Sequence, residues 1–290
     1  MVRRRPAGPL YLRHFGLREA PFSLPANPDF RLELPGQLEA ENVVRVALES
    51  GSSIVEVVGE VGTGKTLLAR ALVRELRAQR AVVYLAEPGE SPDALRALLA
   101  EALGQPPARG LLGHELARHL RGALARRRRG DRPVVAFVDE AQSAELETLE
   151  VLRRLTNASD ARGPLLQLVL LGQPELAAKL ALPALRQLRQ RIAYGCNLGP
   201  MSRPTLERYV ERRLARAGYQ GAPPFTRPAL AALHRASGGV PRLVNVLCDK
   251  ALLSAYGRGD SRVRWRHVRR AAGDSASALS GGAGGSRWVS

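Results

Sequence analysis

Cysteine is scarce in this chain of 290 residues: Cys196 and Cys248 are the whole supply. Two thiols make neither a disulfide framework nor a metal-type cluster, so a reducing compartment is the expected setting. Aromatic residues amount to 4%, which leaves Leu, Val and Ala to build the core. No uncharged apolar run approaches the roughly 20 residues that span a bilayer. The basic start, Met1 to Pro6, has no apolar stretch behind it and does not read as a secretion signal. We therefore expect a cytoplasmic protein, with peripheral attachment to the inner membrane left open. Lysine is also rare. Lys65, Lys179 and Lys250 are three of the 44 basic residues, and the other 41 are arginine. Set against 27 acidic residues they give a formal charge of +17 and a pI near 11.2. Two readings of that excess stand side by side. One is the codon bias of a G+C-rich genome acting on solvated helix faces; the other is attraction to nucleic acid or anionic lipid. The clusters Arg126 to Arg129 and Arg262 to Arg270, around Trp265 and His267, serve the second.

What the chain does contain is a complete phosphate-binding loop, Gly59-Glu60-Val61-Gly62-Thr63-Gly64-Lys65-Thr66. Its glycines let the backbone turn tightly so that N–H groups point inward at phosphates. Lys65 is expected to reach the β- and γ-phosphates of ATP, and the Thr66 hydroxyl to ligate Mg²⁺. The nucleotide-contacting stretch runs from Gly59 through Leu67. Ile54 to Val58 before it reads as a buried strand, and Leu67 to Arg77 after it as a helix with Leu68, Leu72 and Leu76 on one face. Strand, glycine loop and helix set a helix N-terminus against an anion.

Strands and helices then alternate. A strand over Ala81 to Leu85 precedes a helix capped by Ser91 with Pro92 at its first position. Leu116, Leu120 and Leu124 mark another helix. The run Pro133 to Val138 is apolar throughout, as expected of a strand covered on both faces. Further strands are expected at Leu165 to Leu171 and Ile192 to Leu198, with a helix over Glu145 to Asn157. This is an α/β fold: a P-loop αβα sandwich on a parallel sheet with right-handed crossovers. After Gly199 the pattern turns all-helical, with helices over Pro204 to Ala217, Pro228 to Ala236, Pro241 to Tyr256 and Trp265 to Ala272. The expected domains are a leader with a first helix (1–50) belonging to the ATPase module, a nucleotide-binding domain (51–199), a helical lid (200–272) and a disordered Gly/Ser/Ala tail (273–290). The leader includes a turn-rich segment from Pro25 to Phe30.

Asp139 and Glu140 end the apolar strand at its carboxyl edge, where open α/β sheets bind ligands. Asp139 there would hold Mg²⁺ alongside Thr66, and Glu140 would orient and deprotonate the attacking water. The plain alternative is a pair of acids at a helix start, favoured by the macrodipole.

Taken together, the phosphate loop, Val138-Asp139-Glu140-Ala141-Gln142, Leu171-Gly172-Gln173-Pro174-Glu175-Leu176, Gln190-Arg191-Ile192 and Gly238-Gly239-Val240-Pro241-Arg242 resemble an AAA+ ATPase. Within that class the chain is similar, over about residues 10–272, to the ExeA/GspA-type ATPases of general secretion and mannose-sensitive pilus biogenesis. The leader Tyr11 to Leu17 with Pro21-Phe22 resembles the opening of the same group. The resemblance implies that Gln173 is the sensor-1 residue that helps place the lytic water. It implies that Arg191 is an arginine finger reaching a neighbouring subunit, with Arg186 and Arg189 close by as alternatives. It implies that Arg242 is sensor 2, contacting the γ-phosphate in its own subunit. It also implies assembly into a homo-oligomeric ring or filament, and secretion or pilus envelope proteins as partners. Related TnsC-type transposition regulators use the same core to bind DNA as ATP-dependent filaments, so a DNA-binding regulator is the second functional reading. A P-loop kinase of a small molecule is a third; it would need an acceptor pocket and no subunit-borne arginine.

Overall fold

The computed structural model describes residues 9–23, 34–161 and 163–280. The expected turn segment Pro25 to Phe30 and the end of the tail, from 281 on, lie outside the described residues. The chain divides into two compact units. The described residues up to Leu34 join those from Pro200 onward in one, and those of Pro35–Gly199 form the other.

In the second unit α2 (Pro35–Glu49) leads into β1 (Ile54–Gly59), α3 (Lys65–Leu76), β2 (Val82–Leu85), α4 (Pro92–Ala102), α5 (Gly113–Arg127) and β3 (Val134–Val138). Then come α6 (Leu146–Thr156), a two-stranded hairpin of β4 (Ser159–Asp160) and β5 (Gly163–Pro164), β6 (Leu166–Gly172), α7 (Pro174–Leu180), α8 (Arg186–Arg189) and β7 (Ile192–Leu198). Five strands form one sheet in the order β2-β3-β6-β1-β7. Every neighbouring pair in it is parallel.

Successive side chains of a strand face opposite sides of the sheet, and the two cores divide accordingly. Ile54, Ala136, Leu168 and Leu170 pack with Leu95, Leu99, Leu120 and Leu152 of α4, α5 and α6. Val55, Val57, Val135, Phe137, Val169 and Leu171 pack on the other face with Val44 and Leu48 of α2 and Leu68 and Leu72 of α3. Both faces are covered, so β3 and β6 are buried end to end, which is why their sequences run apolar without alternating.

The other unit is helical: α1 (Tyr11–His14), α9 (Arg203–Arg216), α10 (Arg227–Ser237), α11 (Pro241–Tyr256) and α12 (Trp265–Ser280). Ser202 and Thr226 cap α9 and α10 through their side-chain oxygens, each followed by a Pro in the first turn. Gly238, at φ 57°, ends α10.

Two boundaries differ from expectation. The expected segment 1–50 divides: its first helix, α2, groups with the sheet, and its described leader with the helical unit. There Tyr11, Phe15 and Phe22 are buried with Leu206, Leu233 and Leu252, and the Tyr11 hydroxyl donates to Asp249. The last helix does not stop at Ala272 but runs through Gly273 to Ser280; its Ala and Ser residues propagate a helix already begun by the docked turn around Val268 and Ala271.

Candidate functional site

The phosphate loop joins β1 to α3, and two glycines explain its shape. Gly64 sits at φ 104°, ψ 19° as the N-cap of α3, a backbone region that side-chain-bearing residues seldom occupy. A Cβ there would stand 2.4 Å from Gln37 Nε2. At Gly59 a Cβ would stand 2.7 Å from the Leu198 carbonyl oxygen and 2.8 Å from Thr63 Oγ1. The loop is thus pressed between β7 and α2, with Gln37 Nε2 donating to Thr63 O at 3.5 Å.

Lys65 is 5% exposed. Its ammonium donates to Gly59 O at 2.6 Å and Glu60 O at 3.2 Å. Burial pulls its pKa down, while Glu140, Asp139 and Glu60 push it back up. The cation is therefore held over the loop by backbone carbonyls and faces a carboxylate pair across the site.

Asp139 joins the loop directly: Thr66 Oγ1 donates to Asp139 Oδ2 at 2.6 Å. Asp139 is 2% exposed and accepts twice more, from Tyr84 OH at 2.9 Å and from the Glu140 N–H at 3.0 Å. Burial, then the bond to Asp139, pushes the Tyr84 hydroxyl up to about 12, so it stays a neutral donor. The hydroxyl of Thr66 and the carboxylate of Asp139, side by side with hard oxygen donors, fit Mg²⁺ chemically.

Glu140 is the one non-glycine residue with positive φ among the described residues, at φ 49°, ψ 36°. Such positions cost free energy and concentrate at functional sites. The turn is pinned by Ser143, whose N–H and Oγ donate to Glu140 O at 2.9 and 2.8 Å. Glu140 Oε2 accepts from two amides, Gln142 Nε2 at 2.5 Å and Gln173 Nε2 at 3.1 Å. Gln142 Oε1 in turn accepts from the Gln173 N–H at 3.0 Å. Lys179 of α7 donates to Gln142 O at 2.6 Å and Ala144 O at 2.8 Å, clamping the turn from behind.

The fold therefore brings Lys65, Thr66, Asp139, Glu140 and Gln173 to the carboxyl ends of β1, β3 and β6. Glu60 and Val61 are exposed at the loop tip, and Leu67 is half-buried in the first turn of α3. Arg191 is half-buried between α8 and β7, and Arg189 beside it is exposed. Arg242 is exposed in the first turn of α11, in the helical unit. Tyr84, Gln142, Gln37 and Lys179 carry parts of the site that the sequence reading left without a role. Gln142 was in view as the fourth residue of the Asp139 run, and Tyr84 as the one polar-tipped residue of β2.

With that geometry in hand, likeness to known proteins is informative. A family described as "AAA domain" matches residues 48–180. Cdc6p from Pyrobaculum aerophilum superposes with a TM-score of 0.70 at 18% identity, covering 88% of this chain and 70% of that one. The ORC2 protein of Aeropyrum pernix, solved in ADPNP–ADP complexes, gives 0.64 at 20% identity, covering 88% and 71%. The chain belongs to the AAA+ class of P-loop ATPases. Within the class it is related to general secretion pathway protein A of Aeromonas hydrophila, with 39% identity over 258 residues. That match takes in 88% of this chain but 46% of the relative, so the chain spans about half its length. No helix of the described residues is long and apolar enough to cross a membrane.

Proposed function

We propose that this chain hydrolyses ATP and uses the cycle to drive assembly of secretion or pilus machinery. The observation that supports hydrolysis best is Glu140: a carboxylate forced into the left-handed region at the end of β3, next to Asp139, with one oxygen held by two amides. In this reading the loop N–H groups and Lys65 take the β- and γ-phosphates. Thr66 and Asp139 hold Mg²⁺, which when bound neutralises charge on the phosphate oxygens. Glu140 accepts a proton from the water that attacks the γ-phosphorus, and Gln142 and Gln173 fix the carboxylate's direction. Arg191 serves the site of a second copy, and Arg242 the site of its own chain, within a ring or filament. Kinship with general secretion pathway protein A supports the secretion role and the envelope proteins as partners.

The test is Glu140→Gln, which keeps shape and removes basicity. Turnover should fall about 10²–10⁴-fold while MgATP binding persists. In cells lacking the gene, the parent should restore secretion or pilus assembly and the variant should not. Turnover at the parental rate would overturn the chemistry. Normal turnover of the parent without any complementation would overturn the assembly role alone.

A second reading, DNA binding controlled by ATP, rests on one patch. Arg269 stacks over the ring of Trp265, 4.9 Å from its centroid, and Trp265 is 49% exposed. Arg262, Arg264, Arg266 and Arg270 are exposed around it. Aromatic faces and arginine together suit single-stranded nucleic acid. Binding should then need ATP, weaken steeply with salt, and drop when Arg264, Arg266, Arg269 and Arg270 are replaced. No binding at low salt with ATP present would leave codon composition as the account of the charge.

A further inference from the structure

Lysine supplies only three of the 44 basic residues. Arginine meets the ordinary needs for positive charge in this chain, so a lysine marks a place suited to a compact ammonium. Lys65 occupies one such place. Lys179, in the last turn of α7, occupies another, and the hydrolytic reading gives it no part. It is half-buried, and two backbone oxygens converge on its single nitrogen, Gln142 O at 2.6 Å and Ala144 O at 2.8 Å. Among the described residues nothing else donates to either oxygen. Both belong to the end of the short 3₁₀ turn Ala141–Ser143 that follows Glu140, the kind of carbonyl a lysine ammonium complements.

The other end of α7 grips the same turn. Gln173 stands at the N-cap position but makes no cap bond with its side chain. Its Nε2 goes to Glu140 Oε2 instead, and its N–H donates to Gln142 Oε1. A backbone N–H can only donate, so the atom of Gln142 that faces it is the amide oxygen. The Gln142 Nε2 is then left to face Glu140, on which it donates at 2.5 Å. Gln142 is thus held by its backbone oxygen from Lys179 and by its side-chain oxygen from Gln173. Only with both holds in place does its amide have one direction.

We infer that Lys179 is a positioning residue for Glu140, acting through Gln142; the role rests on the reading of Glu140 as the general base. Lys179 touches neither Glu140 nor the phosphate loop. It fixes the turn from which the Gln142 amide aims the carboxylate.

The test uses the full chain and Lys179→Met, which keeps the length of the side chain and removes its donors. MgATP turnover, counted per nucleotide-binding site, should show kcat lowered about tenfold, a part of what a general base contributes, with KM within about twofold of the parent. Gln142→Ala should cost at least as much, and adding Lys179→Met to it should cost no more than about twofold further. A merely structural loss would add in full. Amide exchange read by NMR without nucleotide gives a measure apart from activity. The Gln173 N–H should exchange about tenfold faster in Lys179→Met, while Val169 and Leu170 of β6 stay as in the parent. An unchanged or raised kcat, additive losses in the double variant, or an unchanged Gln173 amide would each overturn the inference. Absence of turnover in the parent would sink the hydrolytic reading instead, and the Gln173 amide would still decide whether Lys179 holds Gln142.

Discussion

Gly64→Ala isolates the physical requirement of the phosphate loop better than any change to a charged residue. Two costs fall on the new methyl. The backbone stays at φ 104°, where a non-glycine residue costs about 1–3 kcal/mol. The methyl also meets Gln37 Nε2 at 2.4 Å, so Gln37, 7% exposed, must give way and leave Thr63 O. That bond is long at 3.5 Å, so its loss adds about 0.5 kcal/mol, toward the low end for a hydrogen bond, and the displaced side chain adds about as much again. The total is about 2–4 kcal/mol. If it opposes the phosphate-binding shape, affinity should fall roughly 30-fold to 1,000-fold. Fluorescent ATP-analogue titration reads affinity, and urea unfolding reads stability. Adding Gln37→Ala removes the collision but neither the backbone cost nor the lost bond, so the double variant should recover about 0.5 kcal/mol and no more. Binding by Gly64→Ala within threefold of the parent would refute the backbone argument. Full recovery in the double variant would assign the whole effect to Gln37.

Arg191→Ala should bind ATP nearly normally yet lose turnover, by as much as about 10³–10⁵ if it acts as a finger. Mixing it with Lys65→Ala should restore part of the rate through interfaces with both halves intact, and no gain at any ratio, with co-assembly confirmed by sedimentation, would remove the shared-site reading. Glu56 gives a pH prediction. Its Oε1 is buried without a partner, and burial pushes its pKa up from the ordinary 4.5 while Arg189 opposes the shift. The folded state thus holds this proton better than the unfolded chain, so the contribution to stability is full below about pH 4.5 and is lost as pH rises through the raised folded value. Glu56→Gln should flatten that decline in denaturant unfolding between pH 4 and 7; identical slopes for parent and variant would refute it.

Elements whose signal is local were legible in the sequence. Ser91, Ser202 and the proline starts of α4, α9 and α11 marked helix ends because caps act within three residues. The apolar runs of β3 and β6 marked a sheet covered on both sides. Lys65, Thr66, Asp139, Glu140 and Gln173 were named as site residues because each belongs to a short motif. What escaped depends on contacts between distant residues. Tyr84 reaches Asp139 across 55 positions and Gln37 reaches Thr63 across 26, and neither spacing has a periodicity to detect. The leader is the same case: Tyr11 finds Asp249 across 238 positions, which composition alone could not assign to the helical unit. The β4–β5 hairpin, two residues a side, was too short to show alternation.

The sheet order has a consequence for how this protein is made. β1 carries the phosphate loop, yet Ile54 pairs with Leu168 and Ile192, 114 and 138 residues further along. At about 5–20 residues per second, the ribosome needs roughly 7–28 s after β1 appears before both neighbours exist. During that interval Val55, Val57 and the loop have no sheet to join, and ATP has no formed cradle to stabilise. Nucleotide therefore cannot help the nascent chain along. It can favour the folded state only once β7 has left the ribosome, and until then α2 and α3, which pack with Val55 and Val57, are the partners already made.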